Sequence, residues 1–282
     1  HVDGVWEPFF SGGSGPKNGT EAIITSYVSE AWPVPDAGLG AMTYMLEILT
    51  GIMGSTARWR TMPWLVMLFG FMIVPLGAVS IFFIVIQPIW LDSYCTLCLI
   101  AAVAMLAQIP FSLDELAATG SFLARRHAKG RPVLRIFFTG DSDEGDDRSE
   151  DDEFSRAPMA IIKDMLSGGV GVTWTLGLAT LIGLWLMLTP LSLGAIGVAA
   201  DLSHLIGALV ITIAVSAFAE VGRALRYLLI PLGMALITAA VVYEMAMPSL
   251  LSSMICGAAL VALSWPRGSV RGQFGSFNRF VK

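Results

Sequence analysis

The chain has 282 residues, 55% of them hydrophobic and only 14% charged, with a formal net charge of −5 and a mean hydropathy of +0.71. A soluble domain carries about 25% charged residues, so this composition excludes a soluble globular enzyme and predicts an all-α integral membrane protein. The negative charge is local: nine acidic residues crowd into 141–153 and the remainder is slightly basic, and no nucleic-acid partner is expected.

Residues 1–37 are polar and rich in Gly, Ser and Pro, and read as an aqueous segment. Within it Ile23, Ile24, Tyr27, Val28, Ala31 and Trp32 recur at helical spacing, which predicts a short amphipathic helix lying on a surface. Asn18-Gly19-Thr20 fits a glycosylation acceptor, but so short a pattern carries no weight. Three apolar runs follow, at about 38–54, 63–87 and 91–110. The first is near the lower limit of ~17 residues for a span. Pro75 and Gly77 predict a kink rather than a break in the second.

A soluble stretch is expected over about 112–168. Its basic cluster, Arg125, Arg126, Lys129, Arg131 and Arg135, precedes the acidic run, which reads as a solvated linker. Four further apolar runs, at about 172–190, 202–219, 227–245 and 249–265, repeat one another. Gly183 and Gly233 are fifty residues apart, as are Gly207 and Gly257. This is the pattern of a duplicated helix pair with small residues where backbones approach closely. The division is therefore 1–118 for a first membrane block with its aqueous segment, 119–168 for a charged linker, and 169–282 for a four-helix repeat block. The chain begins with His and has no signal-like start, so it reads as a fragment lacking its beginning.

Basic residues set the expected orientation. Arg58, Arg60, the 125–135 cluster, Arg223, Arg226, Arg267, Arg271, Arg279 and Lys282 all fall on one side if every run crosses once. The opposite loops, 87–91, 191–200 and 245–248, hold no Lys or Arg. This predicts a multi-pass membrane protein with its C-terminus in the cytoplasm. Residues 1–37 and Cys95 then lie outside it, where disulfides are made.

Three cysteines are present, and Cys95 and Cys98 open the third apolar run one helical turn apart. A helix N-terminus favours thiolate at Cys95. The spacing alone leaves three uses open: redox chemistry, inert packing, and metal binding. The last needs two further ligands, and the outer segments offer no other Cys and no His beyond His1, so no metal is expected. Cys256 stands alone in an apolar run and reads as packing. His204 lies near the outer end of its run and reads as interfacial; Glu220, Arg223 and Arg226 read as boundary anchors.

Residues from about 5 to 118 resemble the vitamin K epoxide reductase family, in its bacterial branch. The residues that carry this are Pro33-Val34-Pro35-Asp36-Ala37-Gly38-Leu39-Gly40-Ala41-Met42-Thr43-Tyr44, then Arg58-Trp59-Arg60, then Gln87-Pro88-Ile89-Trp90 leading to Tyr94-Cys95-Thr96-Leu97-Cys98-Leu99. The resemblance implies a four-helix bundle that oxidises a dithiol and reduces a quinone, menaquinone or ubiquinone, held inside it. It implies that Cys98 contacts the quinone and Cys95 exchanges disulfides with the electron source, a thioredoxin-like thiol protein outside the cytoplasm. Asp36 and Tyr44 fall at quinone-binding positions, and the segment 23–32 matches a short helix capping the pocket. Asp36 also suits the cap of the helix that follows, and Asp92 the N-cap of the cysteine helix.

The chain departs from the family in three ways. One helix is missing and is expected before residue 1. No second cysteine pair appears in residues 1–37. Ala102 stands where a Tyr can help hold the quinone. Gly183-Leu184-Trp185-Leu186-Met187-Leu188-Thr189-Pro190-Leu191, in the last block, resembles the membrane repeat named for its Ser-Pro-Trp signature. The expected activity is thus a membrane thiol–quinone oxidoreductase forming disulfides. Its rivals are a non-catalytic membrane scaffold and, less favoured for want of charged residues near mid-membrane, transport through the repeats.

Overall fold

The computed structural model describes residues 4–12, 16–31, 36–53, 58–141, 159, 170–266 and 268. Among them the regular structure is helical, with only isolated bridges, Ser11 to Asn18 and Val170 to Ala219. Two short helices, α1 (Gly19–Ile24) and α2 (Tyr27–Glu30), precede α3 (Asp36–Ile52) and the single turn α4 (Arg58–Thr61). Next come the long α5 (Pro63–Trp90) and α6 (Thr96–Ala128), then α7 (Val133–Thr139). The second block holds α8 (Trp174–Met187), α9 (Thr189–Leu193), α10 (Val198–Ser216), a 3-10 turn (Arg223–Leu228) running into α11 (Leu229–Val242), and α12 (Met247–Leu263).

The chain is an all-α membrane protein. Four stretches are long and apolar enough to cross a bilayer: Pro63–Trp90, Thr96–Ala128, Val198–Ser216 and Arg223–Val242. The shorter apolar helices Ala37–Ile52, Trp174–Met187 and Met247–Leu263 complete the seven expected runs. At 1.5 Å per residue the 33 residues of α6 extend about 50 Å, well beyond a hydrocarbon core of about 30 Å. The helix therefore runs through Pro110 and on to Ala128, well into the stretch read as soluble. Pro75 and Pro88 likewise lie inside a continuous α5.

The far end of the first block is tied by charge. The Arg58 guanidinium pairs with the Glu115 carboxylate of α6, donates to the Thr50 carbonyl at the end of α3 (3.0 Å), and sits 5.3 Å over the Phe69 ring of α5. One side chain thus joins three helices. Arg126 pairs with Asp141 at 3.2 Å, which folds α7 back along α6. Of the acidic run, 142–153 lies outside the described residues.

The second block carries its duplication in its packing. Gly183 of α8 faces Gly207 of α10, and Gly233 of α11 faces Gly257 of α12. A Cβ at Gly207 would lie 2.6 Å from the Gly183 carbonyl oxygen, and one at Gly233 would lie 2.6 Å from that of Gly257. In each pair the backbones touch, which is how membrane helices gain contact without a hydrophobic drive between them. A Gly207→Leu variant is expected to lose about 1–3 kcal/mol through overpacking, read as a lower unfolding temperature in detergent, with the equivalent Gly257→Leu behaving alike.

Charged residues in this block depart from the sequence reading. Glu220, Arg223 and Arg226 are buried, not surface anchors. Arg223 donates to the Gly171 and Phe218 carbonyls and Arg226 to the Arg223 carbonyl and the Tyr227 hydroxyl, so peptide oxygens replace water around them. Cys256 is a buried free thiol, as expected.

Candidate functional site

The site is the corner between α5 and α6. Gln87, in the last turn of α5, lends its carbonyl to the Leu91 and Ser93 amides, and the chain turns through Asp92 at φ +46°. Asp is one of the few residues that tolerate this left-handed conformation. Asp92 therefore makes the turn and is not the N-cap of the cysteine helix. That position belongs to Cys95, whose Sγ accepts the Cys98 amide at 3.1 Å. Cys95 and Cys98 form a disulfide, with their Cα atoms 5.2 Å apart.

Two residues that the sequence reading did not single out hold this corner. Gln87 is fully buried, and its Oε1 accepts the Cys95 amide at 3.1 Å; its Nε2 is a buried donor with no partner among the described residues. Glu7 reaches the first turn of α6 from the N-terminal segment. Its carboxylate accepts from the Thr96 amide (2.8 Å), the Thr96 hydroxyl, the Thr20 hydroxyl (2.6 Å) and the Phe9 amide (3.1 Å). Burial alone would raise its pKa, but these donors outweigh burial and hold it at about 2, below the usual 4.5. No periodicity marks Glu7, because its partners are 13 and 89 residues away.

The N-terminal segment lies across this corner. Phe10 packs on Tyr94 with ring centroids 5.2 Å apart, and the Ser93 hydroxyl donates to the Ser11 carbonyl. Gly19 sits so close to the Tyr94 carbonyl oxygen that a Cβ there would lie 2.1 Å from it. Asn18 and Glu21 form a capping box that starts α1, and Ile23 is buried. The expected surface helix over 23–32 is two short helices broken at Thr25 and Ser26; Trp32 lies outside the described residues. Both chain neighbours of Cys95 are thus held by this segment. Cys95 is 1% exposed, whereas Cys98 is half-buried. Burial also pushes the Tyr94 hydroxyl pKa up.

Below Cys98 the same face of α6 presents Ala102, Met105 and Ile109. Ala102 and Met105 are buried, and Met105 clusters with Phe69 and Ile73 of α5. Tyr44 of α3 packs against this cluster. Met105, the α6 member of that cluster, lies about two turns, ~10 Å, beyond Cys98. The Tyr44 hydroxyl makes no hydrogen bond within the described residues. Asp36 begins α3, but its side chain lies outside the described residues. One turn from Tyr44, Glu47 is a buried carboxylate whose Oε1 has no partner among the described residues. Its signal in the sequence was a lone acid in an apolar run, and such a residue in a span marks function by default.

Two cavities of about 290 and 300 Å³ lie in the second block, lined by residues such as Trp174 and Pro266, and Ile196 and Tyr243. Neither adjoins the disulfide. Among the described residues, no three His, Cys, Asp or Glu side chains gather as a metal site.

Residues 12–113 match the sequence pattern of the vitamin K epoxide reductase family. The match spans the corner, both cysteines and α3, and stops short of the second block. No curated protein and no solved structure matches the chain.

Proposed function

We propose, from the membership of residues 12–113 in the vitamin K epoxide reductase family, that this chain is a membrane thiol–quinone oxidoreductase that makes protein disulfides. The observation that carries the reading is the Cys95–Cys98 disulfide at the N-terminus of a long apolar helix. A disulfide there can accept electrons from a thiol in water and release them toward lipid.

The residues along α6 from Cys98 have the chemistry a quinone needs, and a quinone would have to part them to enter. Such a ring needs apolar walls and a donor for a carbonyl oxygen. Ala102 and Met105 offer the walls, and the free Tyr44 hydroxyl offers the donor. A bound quinone would supply an acceptor for two electrons and two protons. The residues of the chain do the rest. A thiolate of an external dithiol attacks the Cys95 sulfur, the Cys95–Cys98 bond breaks, and its electron pair passes to Cys98. The second external thiol then displaces Cys95, which leaves the partner oxidised and both cysteines of this chain reduced. Reoxidation of the pair gives up two electrons and two protons from Cys95 and Cys98.

The partner in this reading is a thioredoxin-like thiol protein, and the electron acceptor is menaquinone or ubiquinone. The membrane is a bacterial inner membrane, with the cysteines outside the cytoplasm and the C-terminus within it. The distribution of Arg and Lys among the loops supports that orientation.

Trapping the free thiols of Cys95 and Cys98 in membranes, with and without a quinone-site inhibitor, tests the proposal. The pair should be oxidised at rest and become reduced when quinone turnover is blocked. Two thiols that stay reduced and ignore the inhibitor would leave a non-catalytic scaffold as the better reading.

A further inference from the structure

Proline at position 88 of α5 leaves the Ile84 carbonyl without its helical donor, because that donor would be the missing Pro88 amide. In a membrane helix an unpaired carbonyl costs several kcal/mol, so another group must supply a hydrogen bond. The donor comes from the second block. His204 of α10 is 2% exposed, and its Nε2 lies 3.0 Å from the Ile84 oxygen. A carbonyl only accepts, so Nε2 carries the proton, and in the neutral ring Nδ1 is the lone-pair nitrogen. The Met187 backbone is a second hydrogen-bonding neighbour of the ring. The sequence reading of His204 as interfacial is corrected here: its ring is buried between the blocks.

That bond fixes where the His204 ring points. The ring meets Tyr94 edge-on, with centroids 6.1 Å apart. Tyr94 is the residue before Cys95, and its other contact is Phe10 of the N-terminal segment. Three aromatic rings, from α10, the corner and the N-terminal segment, therefore stand in line beside a cysteine that is 1% exposed.

We propose that His204 is a positioning residue for the thiol site: by bonding the carbonyl that Pro88 frees, it holds Tyr94 against Phe10 and keeps Cys95 covered. The second block is then a working part of the redox corner, which sets how fast an external thiol reaches Cys95. The biological meaning of this control rests on the thiol–quinone reading above, but the geometry and its test do not.

The test measures alkylation of Cys95 by a charged maleimide in the full-length Cys98→Ala chain, solubilised in detergent. Adding His204→Leu removes the donor, and alkylation should become about tenfold faster, the equivalent of one lost hydrogen bond. His204→Gln keeps an N–H donor there and should react at a rate closer to the parent than to His204→Leu. Cys256 reports on the fold and should stay unreactive in both. An unchanged rate in His204→Leu, or a rate in His204→Gln equal to it, overturns the proposal. Should His204→Leu also expose Cys256, Tyr94→Ala decides, since it leaves α10 intact: a faster rate upholds the cover, and an unchanged rate removes it. Alkylation consumes no quinone, so failure here and failure of the thiol–quinone reading are separate results.

Discussion

Cys98→Ala is expected to lower quinone-linked disulfide formation by at least ~10³-fold, because the nucleophile and resolving thiol act as one unit. The same variant should accumulate a mixed disulfide, formed when the Cys95 thiolate attacks the oxidised partner's own disulfide and releases one partner thiol. With no Cys98 to re-form the internal bond, the first exchange at Cys95 has only one exit, back to the free partner. Cys95→Ala should lose as much turnover yet trap no partner, provided Cys98 faces the quinone. The asymmetry is the informative part. Cys98 is half-buried and Cys95 almost wholly buried, so exposure alone would favour capture at Cys98. The proposed thiol–quinone reading favours capture at Cys95. Mass spectrometry of the trapped species, with each single variant expressed in intact cells, separates the two. A partner found on Cys98 in Cys95→Ala would reverse the proposed order of electron flow.

Composition and periodicity were enough to locate the helices, because a bilayer accepts few alternatives to a run of apolar residues. All seven runs are helical, and the fifty-residue spacing of Gly183, Gly207, Gly233 and Gly257 reappears as two matching backbone contacts. The redox pair was legible for the same reason: Cys95 and Cys98 are three residues apart, so local geometry alone brings them together. What the sequence hid are contacts between distant residues. Glu7 meets Thr96 across 89 positions, and His204 meets Ile84 across 120. Pro88 was read only as part of a motif, and nothing in a single chain says which side chain serves the carbonyl it leaves unpaired. The same is true of Gln87, which was read as part of a motif and turns out to hold the Cys95 amide. Asp92 was misplaced because Asp caps helices far more often than Cys does, while here the turn needs a residue that tolerates positive φ.

Glu7→Ala is expected to release the N-terminal segment from the cysteine helix. Its carboxylate satisfies the Thr96 amide and both threonine hydroxyls, and no other acceptor serves the Thr96 amide among the described residues. Charge-assisted bonds of this kind are worth about 1.5–3 kcal/mol in a buried site; at a half-exposed one, solvent screening brings the expected loss to about 1–2 kcal/mol. The loss should appear locally, as faster amide exchange over 94–98 and faster proteolysis of residues 4–31, with the transmembrane helices unaffected. The pH dependence follows from the sign of the shift. The pKa of Glu7 is lower when attached, about 2, than in the free chain, 4.5. Attachment is therefore favoured fully above pH 4.5 and weakens as pH falls toward 2, when the carboxylate gains its proton. Glu7→Gln keeps one acceptor oxygen and has no charge to lose, so its exchange rates, once corrected for intrinsic pH effects, should be flat across that window. If wild type and Glu7→Gln exchange alike at every pH, the carboxylate does not anchor the segment. If only wild type loosens in acid, the negative charge of Glu7 is what closes the N-terminal segment over Cys95.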